Sequence, residues 1–435
     1  MTPRPAAFPH PFHVPPSALA GFFALLTACA LAARLLRPRL RRGVLAAAGL
    51  AYLAFFLSAA MAPAVAALAL LLGRLCRGRD ALTKERALAA SALVLFGLLP
   101  ACLGGVFLRT GARGPEPAAL LAVVFLVNVL KKSVYYVYER RTGRVRGLEA
   151  DELAAYLFAL PFAVGSVIFA ASEVDAGWEA RPAAESVRSG LKTLASAALH
   201  AAACLALFRL RWARMYGDQF LTDARSYVWW RIWIVFVSSY VAFYLYRYAV
   251  DQTCVGAARL LGWDVRGNYD WALFPVDYAD YWRRWNIHFR ELLMALFYYP
   301  SALRLARRRP ERREANLIAA CFVTFAGAAV FNFVLRASFF RAPTWTPYRN
   351  LAVRVALYEG FAWVMVSAAG IAEMRRRARG APERGLGRRV FGAAATLLLR
   401  SASLPLYETR DPRAPWTAPL SVLGRACGLS LRAGG

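Results

Sequence analysis

Acidic residues are scarce in this sequence, 26 against 55 lysines and arginines, and histidines are scarcer, with four in 435 residues (His10, His13, His200 and His288). Charge of either sign makes up 19% of the chain, below the roughly 25% of an average soluble domain. The charges fall in short clusters between long apolar runs, which excludes intrinsic disorder. The seven cysteines (Cys29, Cys76, Cys102, Cys204, Cys254, Cys321 and Cys427) are scattered and form no C-x-x-C pair. Neither a disulfide framework nor a metal site is expected from them. Also missing are a G-x-S-x-G elbow, an H-E-x-x-H pair, a Walker loop and a dinucleotide fingerprint. Common hydrolase, metalloprotease and nucleotide-binding chemistries have no foothold here.

What is abundant is apolar. Hydrophobic residues are 59% of the chain, against about 45–50% in soluble domains, and the mean hydropathy is +0.39. A soluble fold cannot hide that much apolar surface, so the chain reads as an integral, multi-pass membrane protein. Its net charge of +29 would make nucleic acid the default partner of a soluble protein. Here the basic residues flank apolar segments, where they bias orientation and meet anionic headgroups. Membrane lipids are the expected partners, and nucleic acid is not.

A helix needs about 20 apolar residues to cross a hydrocarbon core of about 30 Å. The expected fold is an all-α bundle of about eleven spans, near 17–34, 44–58, 63–76, 88–108, 117–131, 153–172, 191–208, 228–249, 288–303, 316–336 and 351–373. Met61-Ala62-Pro63 breaks the long 44–76 stretch into a hairpin, and 117–131 and 288–303 are short enough to be tilted, broken or re-entrant. Residues 1–16 form a proline-rich lead, 17–114 the N-terminal helices, 115–373 a transmembrane core, and 374–435 a basic, partly disordered cytoplasmic tail. Within that tail, 390–399 is expected to form a turn or two of interfacial helix. Arginines and lysines cluster at 34–42, 74–86, 131–146, 304–313 and 375–389. The span count puts all of these on the cytoplasmic side of a bacterial cytoplasmic membrane. It puts two acidic segments outside: Glu173, Asp175, Glu179 and Glu185, then Asp251, Asp264 and Asp270.

The most informative stretch is Asp277-Tyr278-Ala279-Asp280-Tyr281-Trp282-Arg283-Arg284-Trp285-Asn286-Ile287-His288, followed by Tyr298-Tyr299-Pro300. Trp282 and Trp285 flank an arginine pair, a pattern that suits a membrane–water interface, with Arg283 and Arg284 reaching headgroups or pairing with Asp280. Asn286 and His288 then enter an apolar helix. Unsatisfied polar groups are costly there, and tolerated ones usually face a cavity. His200, on an apolar span, reads as a helix–helix contact, and His10 and His13 lie in the lead.

The run Tyr281-Trp282-Arg283-Arg284-Trp285-Asn286-Ile287, with Tyr298-Tyr299-Pro300 after it, resembles the signature of the membrane-bound O-acyltransferase (MBOAT) family. Weaker similarity flanks it, upstream over Val129–Gly143, Ala155–Pro161 and Gly165–Phe169, and downstream over Asn316–Ala337; together the blocks cover roughly residues 115–370. The resemblance implies a polytopic helical enzyme in which an acyl-CoA or acyl-carrier co-substrate meets a hydroxyl of a lipid, glycan or small-molecule acceptor. It implies no bound cofactor, and an acyl-carrier or cell-envelope protein as partner. Asn286 takes the place of the first catalytic residue, with Trp282, Arg283, Arg284, Trp285, Asp280 and Tyr298 around it.

The family's catalytic histidine does not carry over. Aligned on Asn332, its position holds Gly327, and no histidine follows His288. Three explanations stay open. His288 serves as a relocated base, although two residues apart on an ideal helix it points about 200° from Asn286; a base other than histidine is used; or the fold persists without acyl transfer, binding or passing lipid or serving as a partner subunit. An unrelated transporter would need charged residues deep within the spans.

Overall fold

The computed structural model describes residues 27–28, 31, 33–56, 67, 71, 74, 76, 83, 86–87, 91, 94, 117–159, 167–209, 227–337, 344–380, 385–408 and 417–427. Among these the chain is helical and no strand forms; one isolated bridge joins Trp178 to Trp263. The lead 1–16, the break at Met61-Ala62-Pro63, all of the 88–108 span but Ser91 and Val94, and Pro161 and Gly165 of the upstream block lie outside the described residues.

In chain order the helices are α1 (Pro38–Phe56), α2 (Pro117–Arg141), α3 (Ala150–Phe158), α4 (Ala171–Gly177), α5 (Ala183–Arg209) and α6 (Trp229–Leu260). Then come α7 (Tyr278–Arg284), α8 (Ile287–Leu293), a π-helical turn (Met294–Tyr298), α9 (Tyr299–Arg308), α10 (Arg313–Ala337), α11 (Thr346–Ala378), α12 (Leu386–Glu408) and α13 (Thr417–Ala426). Four of them, α5, α6, α10 and α11, are long and apolar enough to cross a membrane, where the sequence led us to expect about eleven spans. They cover the stretches expected at 191–208, 228–249, 316–336 and 351–373. At 1.5 Å per residue the 32 residues of α6 run about 48 Å, well beyond the hydrocarbon core.

Two compact units divide the chain: Met1–Leu199 with Arg247–Asn268, and His200–Tyr246 with Tyr269–Gly435. In the first, the expected span at 153–172 is not one helix. α3 ends at Phe158 after nine residues, Ala159 is extended, and residues 167–170 lack helical structure before α4 begins. Pro161, two residues on, has no N–H to donate and disfavours a helical residue before it. The C-terminal carbonyls of α3 are taken up instead by Lys132, whose buried Nζ donates to Tyr156 O at 2.8 Å and Leu157 O at 2.7 Å.

The loss of that span changes the sidedness of the charges. Arg41 Nη1 donates to Glu179 Oε1 at 2.7 Å, and Arg146 Nη2 to Asp175 Oδ1 at 2.8 Å. Arg42 and Arg146 both reach Glu152, and the Arg266 amide donates to Glu173. Ion pairs of this length cannot straddle about 30 Å of hydrocarbon. The basic segments 34–42 and 131–146 and the acidic segment 173–185 therefore lie together, not on opposite sides as their signs suggested. Asp251 is also corrected. It lies inside α6 rather than in an outer loop, fully buried, and accepts from Asn268 Nδ2 at 2.8 Å. Arg247 is likewise internal to α6, since the helix runs on past 249 to Leu260.

In the second unit α10 and α11 pack along their lengths. Arg375 at the end of α11 grips Glu314 at the start of α10 through two bonds of 2.7 Å, so the basic clusters 304–313 and 375–389 share one end of this pair. The tail holds more structure than a turn or two: α12 is 23 residues long with Pro405 inside it, and Arg400, Ser401 and Leu404 are buried.

Candidate functional site

The motif stretch is built as a chain of short helices. Asp277 caps α7, its Oδ1 accepting from the Asp280 amide at 2.8 Å. Asp280 is buried and gathers the arginines: Arg284 Nε donates at 2.8 Å, Arg283 Nη2 at 3.2 Å, and the Val276 amide at 3.0 Å. Of the two fates open to the arginines, pairing with Asp280 is the one the structure shows. Arg283 keeps more than half its side chain exposed, and Arg284 about a third.

α7 then stops. Trp285 is extended and Asn286 takes a left-handed conformation (φ 47°, ψ 54°), after which α8 starts on a new axis. Asparagine is among the few side chains that enter this region readily. Trp285 anchors the break, packed against the rings of Tyr269 at 4.9 Å, Tyr281 at 5.7 Å, and Phe243 and Tyr244 at 5.8 Å. Asn286 is half-buried, and His288, on the first turn of α8, is 1% exposed. The 200° separation of an ideal helix therefore does not apply to this pair. The expected 288–303 span is broken again at the π turn, where Tyr299 N–H reaches back five residues to Met294 O. Pro300 supplies the reason, since it lacks an N–H and its ring crowds the carbonyl four residues before it. Tyr298, in that turn, is half-buried beside Tyr299.

α10 packs against this chain of helices through three aromatic contacts. Trp282 meets Phe325 at 5.4 Å, Phe289 meets Phe331 at 5.6 Å, and the ring of Phe297 lies against Gly327. A Cβ at residue 327 would come within 2.8 Å of that ring. Position 327 thus has no room for a larger side chain in this packing.

Sequence reading missed the residues that gather beyond α10. Asn332 Nδ2 donates to Glu359 Oε1 at 2.8 Å, and both are buried. Glu359 sits in mid-span of α11; an acid in the middle of the apolar run 351–373 was the signal for it. Arg400 of α12, 1% exposed, donates through Nη1 to Tyr278 Oη at 3.0 Å and through Nη2 to Tyr358 Oη. Its guanidinium lies over the rings of Tyr281 at 4.7 Å, Tyr358 at 5.1 Å, Trp282 at 5.7 Å and Tyr278 at 5.8 Å. Such cation–π contacts hold a cation away from water without a carboxylate. Nothing in the sequence of a basic tail marked Arg400 for this place. Among the described residues, no three of His, Cys, Asp and Glu converge in a way that would hold a metal ion.

No known family model matches the chain, and no curated protein matches it.

Proposed function

We propose that this protein is an integral membrane acyltransferase of MBOAT-like organisation. It moves an acyl group from acyl-CoA or an acyl-carrier thioester onto a hydroxyl of a lipid, glycan or small-molecule acceptor. The observation that carries this reading is the interruption at Trp285-Asn286, which turns a polar pair on opposite sides of one helix into an amide at a break and an imidazole buried beside it. The Asn286 amide sits where it can orient the thioester carbonyl and donate to the oxygen that gains charge in the transition state. His288 is its partner at the reacting centre. The basic clusters 304–313 and 375–389, which share one end of the α10–α11 pair, face the cytoplasm of a bacterial cell, and the acyl donor arrives from that side.

A second reading is favoured by a different observation. The Phe297 ring lies against Gly327, the position to which the MBOAT resemblance assigns a histidine, and this suits a protein that keeps the fold to bind or pass lipid.

The test is thiol release from acetyl-, octanoyl- and palmitoyl-CoA by the purified protein in lipid nanodiscs. Asn286→Gly is the informative variant, because glycine keeps the positive φ and removes only the amide. Loss of turnover in this variant, with an unchanged melting temperature, supports the enzyme. Wild-type protein that releases no thiol from any of the three donors sinks it.

A further inference from the structure

Acyl transfer to a hydroxyl needs a group that takes the acceptor's proton, and the inference drawn here rests on the acyltransferase reading. The face of α10 that carries Gly327 is closed by Phe297. Five residues on, about 140° around the same helix, Asn332 holds one oxygen of Glu359 at 2.8 Å. The other oxygen, Oε2, is buried and accepts no hydrogen bond. Glu359 is 3% exposed, inside a helix long and apolar enough to cross a membrane. Ionisable groups in such places mark sites of proton or ligand handling.

The charged groups that face this carboxylate come from two neighbouring helices: Arg336 from α10 and Arg400 from α12. On its own helix, Tyr358 is held by Arg400 through its hydroxyl. Arg400 keeps a buried Nε with no acceptor. A carboxylate oxygen without a donor and a guanidinium nitrogen without an acceptor are therefore buried in the same layer of helices. Buried polar atoms of this kind are rare, and each asks for an explanation.

We propose that Glu359 Oε2 is the proton acceptor of the reaction, with Asn332 fixing the carboxylate and Arg400 balancing its charge. As the hydroxyl oxygen attacks the thioester carbonyl, its proton passes to Oε2. The C–S bond then breaks with its electron pair on sulfur, and the proton moves from Oε2 to the thiolate. Ester and thiol leave, and Glu359 is ionised again.

Two measurements on the full chain in nanodiscs test this. Thiol release from the same three acyl-CoA donors, followed as a function of pH, compares wild type with Glu359→Gln, Glu359→Asp and His288→Ala. Glutamine keeps the bond to Asn332, so Glu359→Gln is expected to retain its melting temperature, to lose kcat by about 100-fold or more with little change in KM, and to lose the acid limb of the pH profile. Glu359→Asp restores that limb in part. Separately, dicyclohexylcarbodiimide, an apolar reagent for protonated carboxyls, is expected to label the peptide carrying Glu359, more at low pH than at high, and to leave Glu359→Gln unlabelled there. An active wild type whose acid limb survives in Glu359→Gln and vanishes in His288→Ala overturns the proposal and leaves acyl transfer standing. Absence of label at Glu359 across pH also overturns it, since an oxygen that meets no proton is no base. A wild type silent with every donor overturns the acyltransferase reading itself.

Discussion

The two compact units differ in how they hold charge. In the unit made of residues 1–199 and 247–268, several of the cations described find carboxylates: Arg41 finds Glu179, Arg42 and Arg146 share Glu152, and Arg181 takes Asp264 at 2.7 Å, while buried Lys132 is held by carbonyls and buried Asp251 accepts from an amide. In the unit made of 200–246 and 269–435, such pairs sit toward helix ends, at Asp280, Glu314 and Glu373. Of its interior charges, which include Arg354, Arg400 and Glu359, the last two are held by tyrosines, a tryptophan and an amide. Paired charges stabilise modestly and are fully accounted for by the pairing. Charges kept inside an apolar bundle without a contacting counter-ion are costly, and a chemical role explains their presence better. The contrast singles out Arg400 and Glu359 without reference to any motif.

The largest effect that would break this contrast is expected at Arg400. Arg400→Ala removes a fully buried side chain and strands the hydroxyls of Tyr278 and Tyr358, at a cost of about 4 kcal/mol. Arg400→Met, which refills the volume, should recover at least half of that. Unfolding in mixed micelles measures both. If methionine costs as much as alanine, the positive charge itself holds the bundle, and the second unit is no different in kind from the first.

Next in size is Arg41. Its guanidinium donates to Glu179 and to the carbonyls of Ala33, Arg34, Leu36 and Leu261. Arg41→Ala should therefore cost about 3 kcal/mol. Glu179 is a third exposed, so Glu179→Gln should cost about 1 kcal/mol or less. Equal losses from the two variants would mean that the ion pair dominates over the carbonyl bonds, contrary to this account.

Gly327→Ala comes third, at about 2 kcal/mol, because the new methyl group meets the Phe297 ring. Phe297→Leu in the same chain should relieve most of it, a coupling that a double-mutant cycle reads directly. A neutral Gly327→Ala would show that the ring yields easily. The slot would then be open to larger groups, and the reading without catalysis would lose its support.

Much of the fold was legible and much of the site was not, for the same reason. Apolar length is local, so hydropathy alone located α5, α6, α10 and α11. Breaks are set by single residues: Pro161 beyond α3, Asn286 in a left-handed turn, and Pro300 at the π turn. A window average passes over each of them. The sign of a segment's charge failed as a guide to sidedness because residues 34–42 and 173–185 attract one another. Arg400 was illegible for a further reason. Its neighbours Tyr278, Tyr281 and Tyr358 are distant in sequence, and only the folded chain brings them around it.

The smallest effect sharpens the account of the first unit through pH. Hydrogen bonds from Arg146, and then from the Glu149 amide and Arg42, hold the Glu152 carboxyl down from 4.5 to about 2. Burial pushes Glu173 the other way, against the Arg266 amide and guanidinium that favour its ionised form. The signs follow from proton counting. On acidification the native state takes up the Glu173 proton before the unfolded chain does, so stability rises until pH reaches the ordinary carboxylate range. From about 4.5 down to about 2 the unfolded chain protonates first at Glu152, and that contribution is lost. Because both groups are partly solvated, each limb should move the melting temperature by about 2 °C or less. Glu173→Gln should flatten the upper limb alone, and Glu152→Gln the lower limb alone. If both limbs survive both substitutions, the pairing seen in this unit does not govern its response to acid.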